Sequence, residues 1–364
     1  MDPIAHTLTG GALAATGLRR ATPLATAALL IGANIADVDI VVAFASDYMA
    51  LAHRRGWTHG VLALVLLPPL LAAGLLLWDK LVRRRWRPGA EPARWWPLLL
   101  VSAIAVISHP ALDWLNNYGL RWLMPFDGRW FYGDGLFIID PWLWLIFGGL
   151  CFLLWSQRLP ALLAWLLFWL PTSWLVLTNP LVPGVAQGLW LAGLVAVAVL
   201  RLRHVVPGEM AARTLVVVVT AYMAANVIAN IPARAEVRSA LAERGLGAAQ
   251  DVMIGPVPAN PLQGTVVAAT EDAYYLGAWD WLATPHLTLY DWHIDRNLDD
   301  PAVVQAAQDI SAQRYLSWSR FPYALIERGE SEVVVRFEDA RYADFPRGIS
   351  GPEVVVKGSK VVEK

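Results

Sequence analysis

Thiols are nearly missing from this chain. Its 364 residues include one cysteine, Cys151, set in an apolar run. No disulfide framework can form, and a lone cysteine in such surroundings supports no thiol chemistry. Charge is scarce as well: Asp, Glu, Lys and Arg make up 16% of the residues, against about a quarter in soluble proteins. The formal net charge is −1, so no bulk basic field draws nucleic acid, which is not an expected partner. The first residues, Met1-Asp-Pro-Ile-Ala-His6, lack the basic start of a signal peptide, and the segment is expected to be retained. No internal repeat or low-complexity stretch is evident.

What the chain has is hydrocarbon. Hydrophobic residues make up 57% and the mean hydropathy is +0.45. The 19 tryptophans often stand near the ends of apolar runs, where membrane interfaces favour them. Apolar segments run over 4–18, 22–45, 60–78, 98–115, 141–156, 160–178, 184–200 and 214–231. Most approach the length needed to cross a bilayer, while 4–18 and 141–156 are short enough to be half-crossings buried by their neighbours. Pro68-Pro69, Pro110 and Pro171 are expected to kink their helices.

Basic residues split between the connections. One set holds Arg19, Arg20, Lys80, Arg83, Arg84, Arg85, Arg87, Arg94, Arg158, Arg201, Arg203 and Arg213; the other holds only Arg54, Arg55, Arg121 and Arg129. The positive-inside rule puts the first set in the cytoplasm. The region Asn34–Asp39, His53, His59, Asp113 and everything after about 232 then lie on the outer side. Beyond 233 the apolar runs shorten and turns multiply. Strands are expected at 264–270, 273–279, 286–291, 323–328, 332–338 and 353–357, with a helix at about 301–317 capped by Asp300 and opened by Pro301. The expected architecture is an α-helical polytopic membrane domain, 1–232, with about seven to eight membrane segments, followed by a small α+β extracytoplasmic domain, 233–364.

The chemistry gathers in the first third. In Ser108-His109-Pro-Ala-Leu-Asp113 an imidazole and a carboxylate stand four residues apart, on one helix face, where they can grip one metal ion. Ahead of them come His6, then Asn34-Ile-Ala-Asp37-Val-Asp39, then His53-Arg54-Arg55-Gly-Trp-Thr58-His59, with Thr58 a natural N-cap for the next span. Four of the seven histidines thus lie beside or within apolar segments, and ionisable groups in a membrane usually face an interior or a watery cavity and serve a function. Nitrogen and carboxylate donors suit zinc, or manganese, iron or nickel. Each residue also has a plainer reading. His6 could cap its helix, Asp37 and Asp39 could pair with Arg54 and Arg55, and His59 could be interfacial. Asn34 could pack helices or support a ligand. Arg54 and Arg55 could bind phosphate or sit at the interface. His204 reads as solvated in a basic connection, and His286 and His293 as parts of the outer domain.

The segments MDPIAHTLTG, ANIADVD, HRRGWTHG, SHPALDWLNNYG and FYGDGLFIIDPWLW together resemble the YdjM-like metal-dependent hydrolases of bacterial inner membranes. The resemblance covers 1–230 and continues more weakly through NPLQG and YLSWSRFP. That family is in turn distantly similar to zinc-dependent phospholipase C and related single-strand nucleases, which are helical and use His and Asp ligands. The resemblance implies Asp39 with His53, and His109 with Asp113, as ligand pairs, with His6 standing for the one near the N-terminus; His59 is a further expected ligand, and Asp37 a ligand or the general base. Those enzymes also use a later HxxxE helix; none follows His109, which implies one or two ions rather than three. The implied reaction is metal-assisted hydrolysis, with Asp37 or Asp39 orienting water and Arg54 or Arg55 holding phosphate. A site at the outer boundary of the bilayer favours a lipid or lipid-linked phosphoester. Two other classes compete: a transporter or ion-conducting protein using the His/Asp cluster, and a structural or regulatory membrane protein in which a metal only ties helices together.

Overall fold

A computed structural model of the protein describes residues 1–44, 46–343 and 350–357. They form two units: Met1–Val38 with Arg55–Ala229 and Pro256–Pro261, and Asp39–Arg54 with Asn230–Gly255 and the residues from Leu262 on.

The first unit is helical. Its elements are α1 (Pro3–Ala15) and α2 (Ala25–Gly32), then, after a stretch that includes α3 (Asp47–His53) of the second unit, α4 (Val61–Trp78). A π-helical turn, Asp79–Arg83, joins α4 to the short α5 (Arg84–Trp86). There follow α6 (Trp95–Trp114), α7 (Pro141–Trp155), α8 (Leu159–Thr178), α9 (Gly184–Leu202) and α10 (Glu209–Glu243), whose residues up to 229 belong here. Asp2 opens α1 by accepting a hydrogen bond from the Ala5 N–H at 3.0 Å, with Pro3 in the first turn. Around α6 pack α2 and α4, and α1 packs on both α2 and α7. Small residues let these helices meet: a Cβ at Gly10 would stand 2.6 Å from the Leu29 carbonyl oxygen, and one at Gly32 2.7 Å from the Ala105 Cβ. The core between them is built from Ala28, Leu29, Leu71, Leu98, Val101 and Ala105.

Among the described residues, five helices are long and apolar enough to cross a membrane: the continuous Val61–Trp86, α6, α8, α9 and α10. The number rises to six if α2 and the 3₁₀ helix Ile35–Phe44, bent by 41° at their break, count as one span. Five to six of the seven to eight expected segments thus have spanning length and apolarity. The shortfall is at α1 and α7, 13 and 15 residues long, and at 22–45. There the α-helix stops at Gly32 and the chain tightens into 3₁₀ geometry through Asp37 and Asp39. Leu167, Leu170 and Val185 leave most of their surface exposed, as hydrocarbon-facing side chains do.

The second unit is all-antiparallel β with short helices rather than a mixed α+β layer. One sheet has the order β1-β2-β3-β4 and the other β5-β6-β7. The strands are β1 (Asp251–Val257), β2 (Asn260–Ala269), β3 (Ala273–Asp280), β4 (Leu287–Asp295), β5 (Pro322–Arg328), β6 (Glu332–Asp339) and β7 (Glu353–Lys357). The last turns of α10 lay Ala233, Val237 and Leu241, four residues apart, on one face of the first sheet against Val252, Ile254, Val266 and Ala268. The opposite face presents Met253, Val267, Ala269 and Leu276 to Phe321 and Ala340. Leu241 is fully buried, and its replacement by Ala would cost about 2–5 kcal/mol.

Strand β1 lies outside the expected set. It is covered on both faces, so the polar–apolar alternation that marks a half-buried strand is missing from it. The helix expected over 301–317 is two: α11 (Pro301–Ala306), capped by Asp300, and α12 (Ile310–Trp318). Asp309 breaks it, its carboxylate accepting from the Ser311 and Ala312 N–H groups at the start of α12.

Candidate metal centre

Three stretches of the first unit converge. The 3₁₀ turn after α2 supplies Asp37, the turn before α4 supplies His59, and the last turns of α6 supply His109 and Asp113. One ligand atom from each of these four lies within 4.8 Å of the others; this group is found among the described residues. His59, His109 and Asp113 are buried, and Asp37 is partly exposed. The Nε2 atoms of His59 and His109 face each other at 3.1 Å. Asp113 Oδ2 is 3.3 Å from His59 Nε2 and 3.6 Å from His109 Nε2. Asp37 Oδ1 lies 3.7 Å from His109 Nε2 and 4.0 Å from His59 Nε2.

The surroundings fix how these groups present themselves. His109 Nδ1 sits 2.7 Å from the Ala33 carbonyl oxygen. A carbonyl only accepts, so Nδ1 carries the proton and Nε2 turns its lone pair to the cluster. His59 Nδ1 is 2.9 Å from the Thr58 hydroxyl. Thr58 therefore serves the histidine; the N-cap of α4, expected of Thr58, is Gly60, with no side-chain cap. Asp113 Oδ2 is buried and meets no hydrogen-bond geometry. Two imidazole nitrogens and two carboxylates, one of them with a buried oxygen that meets no hydrogen-bond geometry, fit a divalent first-row ion such as zinc.

A second ring of groups holds the ligands. His6 Nε2 is 3.2 Å from Asp113 Oδ1, and its ring stacks on that of His109 with centroids 3.8 Å apart. The Met1 amine also meets Asp113 Oδ1. Arg55 is buried with φ +53°, in the left-handed region that a non-glycine residue adopts only when its surroundings insist. Its Nε stands 3.0 Å from Asp113 Oδ2, its Nη1 donates to Asn116 Oδ1 at 2.9 Å, and its guanidinium lies 4.6 Å from the centre of the Tyr118 ring. Arg55 is thereby committed to a ligand. Asn34 donates to the Leu30 carbonyl and accepts from Thr7, a helix-packing role.

The remaining expected residues lie in the second unit. His53 ends α3 and is exposed. Asp39 is buried, and its Oδ1 stands 3.7 Å from Arg54 Nε. His204, in the first unit, is exposed, whereas His286 contacts the Asp280 carbonyl and His293 stands 3.2 Å from Asp295.

Residues 1–182 match the model of the YdjM inner membrane protein family. The chain belongs to this family. The match takes in every residue of the cluster and its supports, so the arrangement around Asp113 sits within the YdjM region. Among curated proteins, the uncharacterized protein YfhP of Bacillus subtilis (strain 168) is 25% identical over 118 residues, 32% of this chain and 33% of that protein. The aligned stretch thus spans about a third of YfhP. No solved structure matches the chain.

Asn116 is absent from the sequence-based set, although it is fully buried and braces Arg55. Its place three residues beyond Asp113 in an otherwise apolar segment is the signal that could have singled it out.

Proposed function

We propose that the protein is a membrane-bound, metal-dependent hydrolase acting on a phosphoester of a lipid or lipid-linked substrate. The observation that carries this reading is the convergence of Asp37, His59, His109 and Asp113 within 4.8 Å, mostly buried, beside helices of membrane-crossing length. A divalent ion held there, zinc by preference, supplies an activated water and Lewis acidity towards the phosphoryl oxygen.

The chain's own residues do the rest. His59 and His109 offer Nε2, and Asp113 offers Oδ2, with Arg55 and Asn116 fixing the carboxylate. Asp37, partly exposed and at the edge of the group, is the carboxylate we assign to orient water and take its proton. Arg55, buried against Asp113, is assigned to hold that carboxylate rather than phosphate. The lipid character of the substrate is supported by the membrane setting of the cluster. The transporter and structural readings differ from this one in showing no turnover.

Purified protein in mixed bacterial phospholipids should release headgroup, followed by mass spectrometry. The release should stop with chelator, return with zinc or manganese, and fall at least about a hundredfold in His59→Ala. Release that persists through chelation and in His59→Ala would refute the metal mechanism. A metal-loaded protein that releases nothing from phospholipids or polyprenyl-linked phosphates would refute the substrate class.

The orientation belongs to the same proposal. The Lys/Arg split puts 79–97 in the cytoplasm and the second unit outside. Reporter fusions at Arg87 and at Lys364, which lies outside the described residues, should read opposite compartments; one compartment for both would overturn the orientation.

A further inference from the structure

A cavity of about 490 Å³ opens between α1, α6, α7 and α10, within the first unit, and is lined among others by Leu13, Leu112, Phe147, Met223 and Val227. That volume is within the range of small-molecule pockets, roughly 300–1,000 Å³. The lining includes three hydroxyls, and each is already spent on its own helix. Thr9 donates to the Ala5 carbonyl at 2.8 Å, Ser108 to that of Ala105 at 2.7 Å, and Thr220 to that of Val216 at 2.8 Å. Water entering the cavity would find few polar partners, and apolar cavities of this kind stay dry. Two of the four walls, α6 and α10, have the length and apolarity to cross a bilayer, and Ala224 and Ile228 of α10, which line the opening, are exposed. What reaches such an opening in a membrane is hydrocarbon.

The cavity and the metal centre share two helices, α1 and α6. On α6, Ser108, Ala111, Leu112 and Leu115 stand at the same height as His109 and Asp113 but further round the helix. On α1, Thr9 and Leu13 continue the face of His6, about 4.5 and 10.5 Å further along the axis. His6 in turn stands 3.2 Å from Asp113. A ligand filling the cavity thus lies at the level of the cluster, one helix away from it along α1, with hydrocarbon at its opening.

We propose that this cavity seats one acyl chain of a bilayer phospholipid, holding its headgroup end towards the Asp/His cluster. That the seated lipid is the substrate rests on the hydrolase reading above; that the cavity takes an acyl chain does not. The test uses full-length protein in phosphatidylethanolamine–phosphatidylglycerol vesicles containing a trace of phosphatidylglycerol with a diazirine at mid-chain. Irradiation, digestion and mass spectrometry then map the adducts. They should concentrate on Leu112, Met223 and Val227. In Ala111→Phe and in Ala224→Phe, which place a ring in the cavity from two different walls, they should fall at least tenfold. Bound metal, and the background of adducts on the lipid-facing Leu163 and Leu167 of α8, should stay unchanged. Cavity adducts no denser than that background, or equally dense in both variants, would overturn the proposal. Adducts that behave as expected in a protein that releases no headgroup would leave the cavity as a lipid site and sink the hydrolase reading. Metal-dependent headgroup release with evenly spread adducts would do the reverse.

Discussion

In the second unit, Asp339 and Arg341 are both buried, and each answers the other. The carboxylate accepts from Arg341 Nε at 2.9 Å and Nη2 at 2.8 Å, and also from the Ser319 hydroxyl and the Arg320 N–H. Burial alone would push the Asp339 carboxyl up, but the Arg341 guanidinium and these hydrogen bonds hold it below its ordinary value of 3.8. In the first unit, Asp113 is as deeply buried, yet it faces Arg55, three imidazoles and an amine, with one oxygen left outside any hydrogen bond. Two imidazole nitrogens point at each other there, an arrangement that gains most from a cation between them. Burial of charge therefore does not distinguish a structural ion pair from a binding site. What distinguishes them is whether the polar groups satisfy one another.

The largest expected effect tests the unsatisfied side. His109→Ala or Asp113→Ala should lower bound divalent metal by at least about tenfold, measured by elemental analysis of detergent-purified protein, while His204→Ala and His286→Ala keep it. Equal metal in all four would make the cluster a packing device like the pair at Asp339. Next comes the satisfied side. Asp339→Ala strands the Arg341 charge in the interior and should destabilise the second unit by about 3–5 kcal/mol, read by denaturant unfolding of the full chain, with metal content unchanged. The same carboxylate gives a pH test. Its folded pKa is depressed, so its contribution is fully present above the ordinary value and is lost as pH falls through the lower, folded one. Acid unfolding of the second unit should therefore set in below about pH 4, and Asp339→Ala should flatten it. The smallest effect is expected at Arg336 and Glu353, 3.0 Å apart but 40% and 53% exposed. Removing either should leave unfolding unchanged within error. A clear loss there would mean that exposed pairs also support this sheet.

Much of the centre was legible in the chain because a helix turns spacing into proximity. His109 and Asp113, four apart, had to share a face, and α6 delivers them together. His59 and Asp37 were legible only as polar residues beside apolar runs; their distance from Asp113 depends on how α2 and α4 pack on α6, which no local pattern encodes. From the chain alone Arg55 is legible only as a phosphate contact or an interfacial charge, since an arginine usually faces solvent. Its left-handed backbone and the Asn116 and Tyr118 contacts that turn it inward are tertiary facts. In the second unit, alternation marked β2, β3, β5 and β6 within a few residues, and failed at β1, where both faces are covered and alternation has nothing to report. Asp309 was readable in itself; that it would cap a new helix was not, because a single aspartate is tolerated within one.

Between Asp37 and His59 the chain passes out of the first unit and back again: Asp39–Arg54 belongs to the second. Its helix α3 packs on α12, with Tyr48 and Tyr315 edge to face. The order of synthesis gives this detour a consequence. By the time α6 has left the ribosome, every ligand of the metal centre has been made, but α12 follows some 200 residues later, on the order of ten to forty seconds at ordinary elongation rates. Throughout that interval the strand of chain joining two ligands waits for its packing partner. A protein cut short after α10 stays in that waiting state permanently, so removing the C-terminal residues is also an edit to the loop that connects Asp37 to His59.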